Sequence, residues 1–569
     1  MKTKNIILIG SLLVGLIFSG CEKVLMKDNP SAISPKVVWT DQNAANAYIN
    51  EVMANLMPQF STHDGRNSDE ASSAGAAGNM MPAVLKGTAQ IDEWNNWSYG
   101  DIYKINVLLS EIDGGTLDES FKNKIKGQAY FWRAWAYFSM VKYYGGVPLI
   151  LKPQDPQSGN ELFLPRNKTS ECIAQITSDL DQAIAMLPSS WGSSDLGRID
   201  KNGAIGFKGR VLLYYASPQF NPQNDAARWQ KAYDANKAAI ETCTASGKGL
   251  FSSFANIWYD NSNNETIIQR QYKYPEQTYT EDSNRPNRFT TMGFGWDLPS
   301  LEMANAFPMI DGSPYDSTKL GIAQYFKDRD PRFYATIVYN GSDYAIKDLI
   351  ALGAYMWTYH KLGVASFEGS LFSSTSFYRN KAIDKSLDAN TAPFAANVPW
   401  IEMRYAEVLM NYGEAANEIG KPAEALDVLY QIRARAGILP GLDNKYGIKA
   451  TTQAEIRTAF MNERFIEFAF ENMRFWDLRR LRRFDVLNNM QYHHGLYITL
   501  KDGFPVPLAK EDITTIYNQF SYEIRVIDPQ KINCLDQYYF FAIPGGIIAQ
   551  NSKLEQTQGW NNGTFDPLQ

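Results

Sequence analysis

Histidine and cysteine, on which most metal and nucleophile chemistry rests, are scarce in this chain: its 569 residues contain four of each. The histidines are His63, His360, His493 and His494. Adjacent residues of a strand point to opposite sides, so His493 and His494 make a poor metal pair. Beyond Cys21, only Cys172, Cys243 and Cys534 remain. Three cysteines allow at most one disulfide, and their spacing fits neither a CxxC pair nor a zinc site, so they read as buried free thiols. There is no GxSxG, P-loop, HExxH or Cys/His arrangement. Positive charge is not in excess either. Net charge is -6 and the pI about 5.5, so no basic field draws nucleic acid to the surface. These absences leave neither a catalytic set nor a cofactor or metal to expect.

What the chain does have is aromatic residues: 13% of the total, with 13 Trp and 32 Tyr. Cores rarely need that many tyrosines, so part of this set is expected at a binding surface. The N-terminus carries Lys2 and Lys4, an apolar run from Ile6 to Phe18, then Ser19-Gly20-Cys21. That pattern reads as a secretory signal over 1–20, with Cys21 placed as in a bacterial lipoprotein box. Phe18 stands where that box usually has Leu. No second apolar run reaches spanning length, so the expectation is a chain anchored to a membrane through acylated Cys21 rather than crossing it.

The stretch Ile401–Gly437 sets the fold class. Ile401, Tyr405, Val408, Leu409, Tyr412, Ala415, Ala416 and Ile419 recur at steps of three and four, drawing one apolar stripe down a helix. Gly420 stops it, Pro422 opens a second helix, and Gly437 ends that one. So short a connection makes the two antiparallel neighbours, with the chemistry of a tetratricopeptide-type pair. Similar helices are predicted from Asp41, over Lys122–Tyr144, Thr169–Leu187, Lys201–Ala216, Trp229–Thr244 and Gln453–Arg483. The fold class is therefore mostly α, a helix-pair scaffold with one large irregular part. The expected division is a signal over 1–20, a tether over 21–40, helical regions over 41–249 and 400–569, and a loop-rich ligand face over 250–399.

Glu463, Glu467 and Glu471 lie at four-residue steps. A glycosidase pair must flank a bond from two sides, which one helix face cannot do, so they read as an ion-pair ladder with Arg464 and Arg474. Asp260–Glu265 is acidic but lacks the glycine of a calcium loop. A sugar ring packs its C–H face on an aromatic plane and needs amide or charged partners for its hydroxyls. Trp94 and Trp97 beside Asn95 and Asn96 suit that chemistry. A second aromatic set comprises Trp258, Tyr259, Tyr272, Tyr274, Tyr279, Phe294 and Trp296.

The segments GQAYFWRAWAYFSMVKYYGGVPL, GRVLLYYASPQF, RDPRFYATIVYNG, MRYAEVLMNYGEAANEIG and NERFIEFAFENMRFWDLRR, together with FFAIP, resemble the SusD/RagB family of surface lipoproteins. The resemblance implies four tetratricopeptide-like helix pairs and a non-catalytic protein that binds oligosaccharide. It also implies a SusC-like TonB-dependent transporter in the outer membrane as partner. One wall of the ligand site would hold Trp94, Asn96 and Trp97, with Arg66 and Asp69 nearby; the other would hold Tyr272, Tyr274 and Trp296. A peptide-binding member of the RagB branch is the first alternative, and would have Trp94 and Trp97 in its core. A glycoside hydrolase is the second.

Overall fold

The computed structural model describes residues 35–60, 64–72, 81–155, 157–260, 263–279, 284–286, 289, 297–316, 325–360, 373–388, 395–505 and 510–569. The signal segment, Cys21, most of the tether, His63, Phe294 and Trp296 lie outside the described residues.

Among the described residues, ten helices of seven or more residues carry the architecture: α1 (Gln42–Leu56), α2 (Tyr99–Glu111), α3 (Glu119–Tyr144), α4 (Thr169–Met186), α5 (Lys201–Ala216), α6 (Ala226–Ala245), α7 (Tyr405–Glu418), α8 (Pro422–Ala436), α9 (Gln453–Glu467) and α10 (Arg474–Arg480). An eleventh, Phe484–Met490, follows at once. Successive helices pack as pairs, α1 with α2, α3 with α4, α5 with α6 and α7 with α8. This is the mostly helical, tetratricopeptide-like scaffold that the apolar stripes predict. Local signals explain the ends. Asp41 and Asp118 accept backbone N–H bonds from Ala44 and Phe121 at 2.8 Å each, and so cap α1 and α3. Gly420 and Gly437 close α7 and α8 with φ of 79° and 88°, a region that costs glycine nothing.

The pairs touch closely because small residues lie at the crossings, and buried arginines hold them together. A Cβ on Gly209 of α5 would sit 2.2 Å from the Asn236 side-chain oxygen of α6. Arg133 of α3 grips Asp179 of α4 with two bonds of 2.8 and 2.7 Å. Arg210 of α5 does the same to Glu407 of α7, and Arg480 of α10 to Glu414 of α7. Such forks fix geometry as well as adding energy.

Two local expectations change, the stripe from Ile401 and the helix over Gln453–Arg483, and two other segments take shape beside them. Ile401 lies in strand β2 (Trp400–Arg404), paired antiparallel with β1 (Thr266–Arg270), so the α7 stripe begins at Tyr405. The residue before α4 is Lys168, whose backbone N–H donates to the Glu171 carboxylate at 3.1 Å; Thr169 is already helical. The long helix expected over Gln453–Arg483 breaks after Glu467, where Phe470 and Asn472 take positive φ and turn the chain into α10. Tyr538–Pro544 forms no strand: it begins in a short 3-10 turn and continues as extended chain.

The break redistributes the glutamates. Glu463 holds Arg332 and Arg433, Glu467 holds Arg332, Arg404 and Arg435, and Glu471 holds Arg404 and Lys381. Arg464 instead pairs with Asp477, and Arg474 with Asp69, so neither serves the glutamates as expected. Burial alone would raise the carboxyl pKa of all three, but the surrounding cations outweigh it and hold each below the ordinary range.

Among its described residues the stretch 250–399 contains only short elements, yet it has a core. Phe307, Phe333, Tyr344, Trp357 and Tyr378 are buried together with Phe465 and Ile466 of α9 and Leu496 and Ile498 of the hairpin β3–β4 (His494–Leu500, Phe520–Val526). Much of the aromatic surplus expected at a surface therefore fills this second core.

Candidate ligand-binding face

The 88–98 loop, which leads into α2, is held by two tyrosine hydroxyls: Tyr538 accepts from the Ala89 N–H at 3.2 Å, and Tyr144 takes the middle of the loop. Tyr144, the last residue of α3, donates to the Trp94 carbonyl at 3.1 Å and accepts from the Asn96 N–H at 2.8 Å. Burial pushes its phenol up to about 12, so the proton needed for that donation stays in place at neutral pH. Asp92 anchors the loop by accepting from the Gly545 N–H at 2.8 Å.

This clamp turns the two indoles toward the protein. Trp94 stacks on Phe541 at 4.5 Å with 6° between planes, and on Phe475 at 5.7 Å. Trp97 lies tilted against Tyr99 at 4.9 Å and edge-on to Tyr144 at 5.8 Å. Both are half-buried against the first core rather than standing free as platforms. What the loop presents outward is polar: Asn95 is exposed and Asn96 partly so.

Asp69 and Arg66 hold the neighbouring loop in place. The buried Asp69 carboxylate accepts two bonds of 2.7 Å from Arg474, and Arg66 lies 3.8 Å from Asp297. Beside them Glu70 is fully buried and accepts from the Phe470 N–H at 2.8 Å. Burial pushes its carboxyl up to about 8.

On the other expected wall, Tyr272 is only 4% exposed, with its ring against Tyr279 and its hydroxyl accepting from the Phe60 N–H at 3.3 Å. Tyr274 is 55% exposed, its backbone N–H held by the Asn397 side-chain oxygen at 3.0 Å. Trp258 and Trp357 are buried, while Tyr259 reaches the surface.

Segments beside the two expected walls flank the C-terminal end of α1. On one side Asn55, Leu56 and Pro58 share a cleft of about 300 Å³ with Asn95 and Asn96. On the other, Met53, Ala54 and Met57 share a notch of about 130 Å³ with Arg270, Gln271 and Gln277. Arg270 bonds the Ala54 and Met57 carbonyls at 3.2 and 2.8 Å, which fixes the second wall to that helix end. The deeper lining of the cleft comes from Trp135, Ser139 and Lys142 of α3, with Asn472 and Trp476 beyond the α9 break. Sequence reasoning missed these residues. Those on α3 belong to a helix that reads as buried all round, and the turn at Asn472 reads as continuous helix.

Among the described residues no group of three or more His, Cys, Asp or Glu could hold a metal ion. Glu265, at the end of the acidic stretch, is taken by Arg404 and Arg435. His493 bonds the Ser68 carbonyl at 2.8 Å, and His494 the Glu302 carboxylate at 2.6 Å.

The SusD family model matches residues 254–560, more than half of the chain. The chain belongs to the SusD family. A second model, described as starch-binding associating with outer membrane, matches residues 30–213 of this SusD-family chain. A SusD-like protein of Formosa agariphila is 23% identical over 507 residues, covering 85% of this chain and 92% of that protein. A solved SusD-like protein of Bacteroides fragilis superposes with a TM-score of 0.72 at 24% identity, covering 93% of this chain and 100% of that one. A second from the same species, titled a SusD-like carbohydrate binding protein, gives 0.71 at 21% identity, covering 91% and 99%. At these identities the structural likeness speaks for the fold.

Proposed function

We propose that this protein is a surface-exposed outer-membrane lipoprotein that binds oligosaccharide and delivers it, without cleaving it, to a SusC-like TonB-dependent transporter. The observation that carries the reading is the 94–98 loop of this SusD-family chain. Its indoles are fixed inward and its asparagine amides are turned to a cleft with tryptophans in its walls. Amides that donate and accept in adjacent positions suit vicinal hydroxyls, and aromatic planes suit the C–H face of a ring. The family model for starch-binding proteins associating with the outer membrane and the carbohydrate-binding relative support the same class of ligand. The non-catalytic reading is supported by Glu463, Glu467 and Glu471, each gripped by two or more cations and so unavailable as acid or nucleophile. Asn96, Tyr274 and Trp296 remain the residues proposed for the ligand face, with Trp94, Trp97, Tyr272, Arg66 and Asp69 supporting it from behind.

One observation favours a second reading. Trp94 and Trp97 pack on the core, as a peptide-binding member of the RagB branch would have them. The cleft at their loop is small for a peptide, which favours the saccharide.

Affinity electrophoresis through gels containing neutral or acidic polysaccharides tests the ligand class. Retardation by at least one is expected; no retardation by any, with binding to a peptide mixture, would move the protein to the second reading. The anchor is tested separately. Wild type should fractionate with membranes carrying a diacylated Cys21, and Cys21→Ala should appear in the soluble fraction. An unmodified Cys21 would remove the lipoprotein claim.

A further inference from the structure

The cleft beneath the 95–98 loop is a built site in its own right. Its polar groups arrive from four separate segments: Asn55 at the end of α1, Asn95 and Asn96, Ser139 on α3, and Asn472 in the turn after α9. Asn55 and Asn95 are exposed and stand at its mouth. Its aromatic walls are fixed. Trp135 stacks on Phe207 at 4.6 Å, and Trp476 lies under the Lys142 ammonium at 4.1 Å.

Two cations, Lys142 and Arg210, and two carboxylates, Glu402 and Glu471, line the cleft in balance, with the Lys142 ammonium seated over the Trp476 and Phe138 rings. Glu402 holds Arg210 at 2.6 Å, and Arg210 also holds Glu407 at 2.7 Å. Glu471 is held by Arg404 and Lys381. An anionic sugar would bring its carboxylate or sulfate beside Glu402 and Glu471, whose cations are engaged. A cationic amino sugar would face Lys142 and Arg210. Either charge would be desolvated among groups whose two signs already balance, an unfavourable exchange. A neutral ring brings no charge to desolvate and finds amides, hydroxyls and indole faces beside those groups. A volume of about 300 Å³ stands at the small end of ligand pockets and admits a chain end rather than a chain segment.

We infer that this cleft binds the terminal one or two rings of an uncharged saccharide. The inference rests on the carbohydrate-binding reading above and narrows it to a substrate class and a mode of entry.

The test uses the whole mature protein in calorimetry. The probes are neutral disaccharides (maltose, laminaribiose, cellobiose, mannobiose), their longer homologues, and a digalacturonic acid. A neutral disaccharide should bind, its longer homologue should gain little further affinity, and digalacturonic acid should not bind. Ser139→Phe, which fills the cleft, should abolish binding with the circular dichroism spectrum unchanged. Should that variant fail to fold, Asn95→Ala at the exposed mouth reads the same site, with an expected loss of about tenfold. Binding of the acidic probe alone overturns the inference and leaves carbohydrate binding standing. So does neutral binding that Ser139→Phe and Asn95→Ala both leave at wild-type strength. Failure of every saccharide, in the gels as in the calorimeter, removes the carbohydrate reading itself.

Discussion

Glu467→Gln removes one charge from the middle of a buried network, and the structure sets the size of the effect. Glu467 is fully buried and accepts from Arg332 at 2.8 Å, from Arg404 at 2.6 Å and from Arg435. Losing one member of a buried ion pair costs about 3–5 kcal/mol because the partner charge is stranded. Here each partner keeps another carboxylate: Asp330 and Glu463 for Arg332, Glu265 and Glu471 for Arg404, and Glu265 for Arg435. The expected loss therefore lies at the lower end, about 3 kcal/mol. If the chain unfolds as one unit, an unfolding entropy of about 2.1 cal/mol/K per residue converts that to a Tm decrease of roughly 2–3 °C. The pH dependence adds a sharper signature. The surrounding guanidiniums overcome burial and hold the folded Glu467 pKa far below the unfolded value of 4.5. Its stabilisation is thus complete above pH 4.5 and fades as the pH falls toward the folded pKa. Differential scanning fluorimetry from pH 7 down to pH 3 should show the gap between wild type and Glu467→Gln closing below about pH 4. An equal Tm at pH 7, or a gap that widens on acidification, would refute the network as a stabilising element.

Three further outcomes follow from particular contacts. The raised Glu70 pKa, about 8 through burial, means the folded state binds a proton that the unfolded state has lost above pH 4.5. Stability therefore falls as pH rises between those values, and Glu70→Gln should gain stability over wild type at pH 8–9 but little at pH 4; an equal difference at both would count against this. Trp94→Ala should lower Tm through its stacks on Phe541 and Phe475, by about 3 kcal/mol in urea unfolding. An unchanged midpoint would return that indole to the exposed class. Gly209→Ala should destabilise by about 1–3 kcal/mol, since its Cβ would meet Asn236 across the α5–α6 crossing, and a neutral result would show that the pair can part there.

The helical half of this protein was legible from one dimension because its causes are local. An apolar stripe at steps of three and four, an Asp41 cap, a Gly420 stop and a Pro422 start all act within a few residues, and α1, α3 and α5–α8 lie close to where those signals put them. The family segments, spread through the chain, likewise fixed the architecture. Tertiary structure decided what depends on partners far along the chain. Whether an indole is a platform or a core residue depends on Tyr144 and Phe541 for Trp94, and on hairpin β3–β4 for Trp357; no local pattern separates the two outcomes. The same holds for charge. Glu463, Glu467 and Glu471 were visible as a ladder, but their cations come from Arg332, Lys381, Arg404, Arg433 and Arg435, because the chain breaks at Phe470 and Asn472 and turns Glu471 away from the helix face. The cleft is the extreme case. Ser139 and Asn472 are unremarkable in sequence, and join Asn95 in one cleft only because α1, α3 and the α9–α10 turn converge on its loop.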